Sequence, residues 1–254
     1  MLSRLISSKN IGQKEGFRWR GEEISRLEGL SDAVFAFSVT LLIVSGEVPK
    51  TFDQLVVVLR AFIPFAACFA QIMSVWYIHY LYYRRYGLED FKSIVLTMVL
   101  LFVVLVYTYP LKFVFMSLFA SMGLSRDGEN YMLHNYDELA QLFTVYALGY
   151  IAVFGVFYFM HLHAYQSRHS LQLTELEIWD TKVVMREMLM YCGVGVISLT
   201  LANVLEGDWR SLAGISYSLI GVVSWIHGTW SRKRREEIYF RLYPTQAPEA
   251  NTTL

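Results

Sequence analysis

Arg26, Ser31 and Asp32 stand at the mouth of an otherwise apolar stretch, RLEGLSDAVFAFSVTLLIV at 26–44. An ionisable group at the centre of a hydrocarbon span costs about 2.5–3.5 kcal/mol, so such groups generally face a bundle interior or a water path. Arg26 and Asp32 are six residues apart and do not stack on one helix face as an i,i+4 pair would. Arg26 is long enough to reach around the helix or to a neighbouring one. Ser31 reads as a cap at the helix start, with Asp32 in the positive first turn. Two chemistries are open: a buried clamp that fixes the start of the helix, and direct contact of Asp32 with a permeating cation.

Phe37, Thr40, Leu41 and Val44 follow at i, i+3, i+4 and i+7, which places them on one helix face. Ala33, Ala36 and Ser38 keep the neighbouring faces small. Ordinary helix packing in lipid gives this pattern. So does a pore wall, in which apolar rings from several copies form a constriction that gates by dewetting and Thr40 supplies the one polar ring.

The remaining candidates are weaker. His161 and His163 are two apart and point to different helix faces, and no HExxH or CxxC spacing exists, so metal ligation is poorly served. His134 and His169 add no such spacing. His79, with Trp76 nearby, is placed to hydrogen-bond the Arg26–Asp32 group; the alternative is a satisfied interfacial histidine. His227, flanked by Trp225 and Trp230, reads as the latter. Cys68 and Cys192 lie inside apolar runs and read as small core residues rather than a disulfide. Gly214, Gly221 and Gly228, seven residues apart, read as a close helix approach. The Arg232–Arg235 run anchors the end of the last apolar stretch and is a candidate contact for anionic lipid. There is no P-loop, GxSxG, dinucleotide turn, TVGYG filter or voltage-sensor arginine spacing.

The elements that must position these residues are membrane helices. Only 17% of the 254 residues are charged and 55% are hydrophobic, against about 25% charged in soluble domains. Net charge is zero, which gives no reason to expect nucleic acid. A span needs about 20 apolar residues, and six stretches qualify: 30–48, 55–80, 93–119, 139–161, 184–204 and 212–230. Pro110 is expected to kink the third. Basic residues gather on one side (Arg4, Lys9, Lys14, Arg18, Arg20, Arg26; Arg84, Arg85, Lys92; Arg168, Lys182, Arg186; Arg232–Arg235 and Arg241) and are sparse on the other. The positive-inside rule then puts both termini in the cytoplasm. The expected organisation is a cytoplasmic segment at 1–25, a six-helix transmembrane domain at 26–231 and a cytoplasmic tail at 232–254. No cleavable signal is visible. LQLTELEIWD, between spans four and five, reads as a short surface helix.

RLEGLSD at 26–32, followed by AVFAFSVTLL, resembles the Arg-x-x-x-Phe-Ser-Asp signature of the transmembrane protein 175 family of potassium channels. The resemblance implies an all-α membrane protein, a homotetramer whose first helices line a potassium-selective pore without a carbonyl filter. Carried over by position, the narrow ring falls at Phe37, the hydroxyl ring at Thr40 and the outer apolar rings at Leu41 and Val44. Arg26, Ser31 and Asp32 would form a structural hydrogen-bond network with neighbouring helices, with Trp76 and His79 as partners. Leu30 replaces the motif aromatic, and Phe37 stands where isoleucine or leucine is usual; four phenyl groups would plug a constriction unless they swing aside.

The expectation is therefore a passive potassium channel of a prokaryotic plasma membrane, not an enzyme. It would need no cofactor beyond the permeant K+, and its partners would be its own copies and lipid. A secondary transporter or a non-conducting protein of the same fold is the alternative.

Overall fold

The computed structural model describes residues 17–21, 23–44, 50–60, 62–121, 133 and 135–242. Every regular element among them is helical. In chain order these are α1 (Arg26–Val44), α2 (Phe52–Arg60), α3 (Phe62–Tyr86), α4 (Phe91–Ser121), α5 (Tyr136–Gln166) and α6 (Glu175–Val204). Then come a 3-10 turn (Gly207–Ser211), α7 (Leu212–Ile215), a second 3-10 turn (Ser216–Ser218) and α8 (Leu219–Leu242).

Five stretches among the described residues are long and apolar enough to cross a membrane: α3, α4, α5, α6 and the run Gly207–Leu242. With 19 residues, α1 reaches about 28 Å at 1.5 Å per residue. The chain is an integral membrane protein. Of the terminal segments expected at 1–25 and 232–254, residues 1–16, 22 and 243–254 lie outside the described residues.

Three expected elements take a different form. The stretch 55–80 is divided: α2, nine residues long, is too short to cross. It has its own start, where Thr51 Oγ1 accepts from the Gln54 N–H and Gln54 Oε1 accepts from the Lys50 N–H at 2.7 Å. LQLTELEIWD is not a separate surface helix. Its first residues form a turn, and Thr174 with Glu177 makes a capping box that starts α6, which runs unbroken to Val204. The last span is assembled from short turns before α8, and the Ser198 and Ser216 hydroxyls both donate to the Ala213 carbonyl in that region. In lipid no water can make that bond.

α1 packs on α3 and α4, and α5 packs along α6. The core between them is aromatic. Tyr82, Tyr83 and Tyr86 on α3 are fully buried. Tyr83 and Tyr86 keep their hydroxyls paired, with Thr97 at 2.7 Å and Thr181 at 2.8 Å, as buried tyrosines usually do.

Candidate functional site

The start of α1 is one turn earlier than expected. Ser25 Oγ accepts from the Glu28 N–H at 3.1 Å, and the Glu28 carboxylate accepts from the Ser25 N–H at 2.9 Å. This is a capping box, and the S-x-x-E signal for it was present in the sequence. Ser31 is therefore inside the helix, not its cap. Its hydroxyl donates back to the Leu27 carbonyl at 2.8 Å. Ser38 does the same to Val34 and Thr40 to Ala36, each at 2.9 Å. All three hydroxyls are thus satisfied within one helix, a condition for burial in lipid.

α1 has two unlike faces. Ser31, Phe35, Ser38 and Leu42 are buried against the rest of the chain. Leu30, Ala33, Phe37 and Thr40 lie on the opposite side and are exposed, Phe37 by 56%. Leu41 is half-buried between the two. The side chain of Val44 lies outside the described residues. Phe35 and Phe37, two residues apart, thus go to opposite sides: one into the core beside His79 at 5.9 Å between ring centres, the other away from it.

Around the mouth, the Trp76 Nε1–H donates to Asp32 Oδ1 at 2.8 Å, tying α3 to the second turn of α1. Trp76 is held in turn by stacking on Tyr80. His79 is buried between Phe35 and Tyr83, and its Nε2 has no hydrogen-bond partner among the described residues. Arg26 is exposed on the same side as Phe37, with no ion pair to Asp32.

Two further anchors of α1 escaped sequence reasoning. The first is the segment leading into it. Arg20 makes a bidentate pair with Glu177 of α6, at 2.7 and 3.1 Å, and also donates to the Leu171 carbonyl. The Arg20 and Gly21 N–H groups donate to the Arg84 carbonyl, and the Arg84 guanidinium donates to the Gly21 carbonyl at 2.8 Å. Phe17 is buried against Tyr86 beneath the Arg20 and Arg85 guanidiniums. Glycine is required where this segment crosses α3: a Cβ on Gly21 would sit 2.5 Å from the Tyr83 carbonyl oxygen. Gly87, opposite it, has a φ of +58°, a conformation with little cost only for glycine. The second anchor is Lys112 of α4, whose ammonium donates to the Leu42 carbonyl at 2.7 Å, near the negative end of α1.

The histidines serve separate partners. His161 Nδ1 lies 2.8 Å from the Phe157 carbonyl, and His163 Nε2 lies 2.8 Å from Asp90 Oδ2. Asp90 also caps α4, accepting from the Ser93 hydroxyl and N–H. Burial pushes the Asp90 carboxyl up, but the Ser93 bonds and His163 outweigh it and hold it below the usual carboxylate range. Among the described residues no three metal-ligating side chains converge. An apolar cavity of about 700 Å³ opens between the end of α4 and the start of α5, lined by Phe115, Leu142, Phe143 and Tyr217 among others, none of them on α1.

Residues 26–108 match the family model described as endosomal/lysosomal potassium channel TMEM175. A protein of Marivirga tractuosa named "Potassium channel" is 37% identical over 247 residues, covering 92% of this chain and 98% of that one. Among solved structures, the potassium channel MtTMEM175, crystallised as a variant with a nanobody–MBP fusion protein, superimposes with a TM-score of 0.75. It is 37% identical, over 85% of this chain and 97% of that one. A lysosomal potassium-selective channel TMEM175 homolog from Chamaesiphon minutus shares the fold at a TM-score of 0.54 and 19% identity, over 81% and 96% of the two chains.

Proposed function

Because the chain belongs to the TMEM175 family of potassium channels, we propose that it conducts potassium passively across a prokaryotic plasma membrane. Four copies meet with their α1 helices around a shared axis. Each copy contributes six spans, α1 being the first, with both termini on the cytoplasmic side. Phe37, Thr40, Leu41 and Val44 line the conduit, and Phe37 forms its narrow ring. Arg26, Ser31, Asp32, Trp76 and His79 hold the mouth of α1 in place. No cofactor takes part, and no enzymatic step is involved.

The observation that carries this reading is the division of α1 into two faces. Its polar and apolar residues at 31, 35, 38 and 42 are used up by the chain's own core, while Leu30, Ala33, Phe37 and Thr40 stay exposed among the described residues. Small residues at 33 and 36 allow helices from other copies to approach that face. Selectivity then comes from partial dehydration of the ion at apolar rings, with Thr40 offering oxygen between them.

Potassium flux into liposomes tests the reading. Wild-type protein passes potassium, and Phe37→Ala, which widens the narrow ring, changes both conductance and the preference for potassium over sodium. Identical flux and preference in the two proteins would take Phe37 out of the conduit. Saturable uptake that depends on a second solute would instead favour a transporter.

A further inference from the structure

The charged part of α6 ends at Glu187, and Met188–Val204 carries no charge. On α8 the uncharged stretch ends at Ser231, just before Arg232–Arg235. Residues near 186 on α6 and 230 on α8 therefore sit where hydrocarbon gives way to headgroups. At that level Arg186 lies in a wedge of two indoles, its guanidinium carbon 5.3 Å from the Trp179 ring centre and 5.5 Å from that of Trp230. One helical turn towards the start of α6, Lys182 lies 5.2 Å from the ring of Tyr165, which Arg168 approaches from α5's end at 4.8 Å.

None of these three cations has a carboxylate partner among the described residues. The nearby acids are taken: Asp180 by Arg235, Glu175 by Arg241 and Glu187 by the Tyr191 hydroxyl. The buried Trp179 Nε1–H and the Ser231 hydroxyl, next to Trp230, also have no hydrogen-bond partner.

From this arrangement we infer that Lys182 and Arg186 bind the phosphate of an anionic phospholipid in the leaflet at the basic end of the bundle. Lys182 and Arg186 are four apart and share a helix face. The same face continues into the membrane as Met190, Gly193 and Ile197, all exposed. Cations therefore stand at the end of an uncovered apolar strip. That geometry fits one molecule with a charged head and a hydrocarbon tail better than a free anion. A Cβ added at Gly193, or at Gly221 and Gly228 on α8, would meet nothing within 4 Å, so the strip has open flanks for an acyl chain. Aromatic rings at Tyr165, Trp179 and Trp230 hold the cations at headgroup depth.

Native mass spectrometry of the full chain in detergent, titrated with phosphatidylglycerol, phosphatidylcholine or inorganic phosphate, tests the inference. Wild type retains phosphatidylglycerol and discriminates against phosphatidylcholine. Lys182→Gln weakens phosphatidylglycerol about fivefold, and Lys182→Gln with Arg186→Gln by about a further fivefold, as expected for removing one cation at a time from a membrane surface. Lys92→Gln, at an exposed cation of the same basic side, leaves the affinity within twofold. Lys182→Gln alters only a side chain on the helix surface, so its loss of affinity is readable even if the double variant folds poorly. Equal binding of the two lipids, full retention in Lys182→Gln, or loss only in Lys92→Gln would overturn the assignment. Competition by millimolar inorganic phosphate would make it a site for free anions and overturn it too.

Discussion

The two ends of α1 are held by different physics. At its start, the segment 17–21 is threaded beneath the end of α3 and pinned by a buried bidentate pair, Arg20–Glu177, by backbone bonds to Arg84 and by the buried ring of Phe17. At its far end the Lys112 ammonium donates to the Leu42 carbonyl, and the Leu42 side chain is buried in the core. The surroundings differ in the same sense. The far side of the bundle joins α5 to the Gly207–Ser211 turn by pairs with exposed acids, Arg210–Asp137 and Tyr136–Asp208, and it contains the apolar cavity. The start of α1 is thus fixed to both α3 and α6, while the contacts described at its far end run to α4.

Cutting the strongest anchor should have the largest effect. Glu177→Ala leaves the buried Arg20 guanidinium without its carboxylate and also removes half of the α6 capping box. A loss of about 3–5 kcal/mol is expected, read as a marked fall in thermal midpoint in detergent. A smaller change than that of the next variant would erase the contrast between the ends. Lys112→Met keeps the bulk of the stem but removes the charged donor, for about 1.5–3 kcal/mol; its effect on open-state current should exceed its effect on the midpoint.

Asp32→Asn is smaller still, about 1 kcal/mol, because the amide oxygen still accepts from Trp76. Assembly or midpoint should change more than ion preference. The reverse order would make Asp32 a cation contact. The smallest effect belongs to Asp90→Ala, about 1 kcal/mol or less for loss of a helix cap. The sign of its pH dependence follows from the depressed carboxyl. The stabilisation is present above the unfolded value, about 3.9, and is lost as pH falls through the lower folded value. Wild type and variant should differ at pH 7 and converge as the pH is taken below the folded value.

Five spans were legible because length and apolarity suffice to identify a candidate membrane helix, and the RLEGLSD signature marked α1. The direction in which α1 turns was not. Phe37, Thr40 and Leu41 make one helical stripe, but Ser31, Phe35, Ser38 and Leu42 make another at helical spacing, and both mix apolar side chains with hydroxyls. In lipid, hydrophobicity does not distinguish inside from outside, so only packing against α3 and α4 settles which Phe is buried. The capping boxes at Ser25 and Thr174 were readable, and missing them displaced two helix starts. The pairing of Arg20 with Glu177 joins residues 157 apart in sequence, and no local pattern announces it. Lys112 lies inside the expected third span, and its contact with Leu42 depends on how α4 lies beside α1.

The Thr40 hydroxyl has one proton, and that proton is already given to the Ala36 carbonyl. What remains on its exposed side is a pair of electron-rich lobes with no donor among them. Chloride and other anions require a donor where water is stripped away, and this position has none to give. In the proposed assembly, a ring of such oxygens would sort ions by sign before it sorted them by size. It would do so without a formal charge, so a cation that paused there would not be trapped.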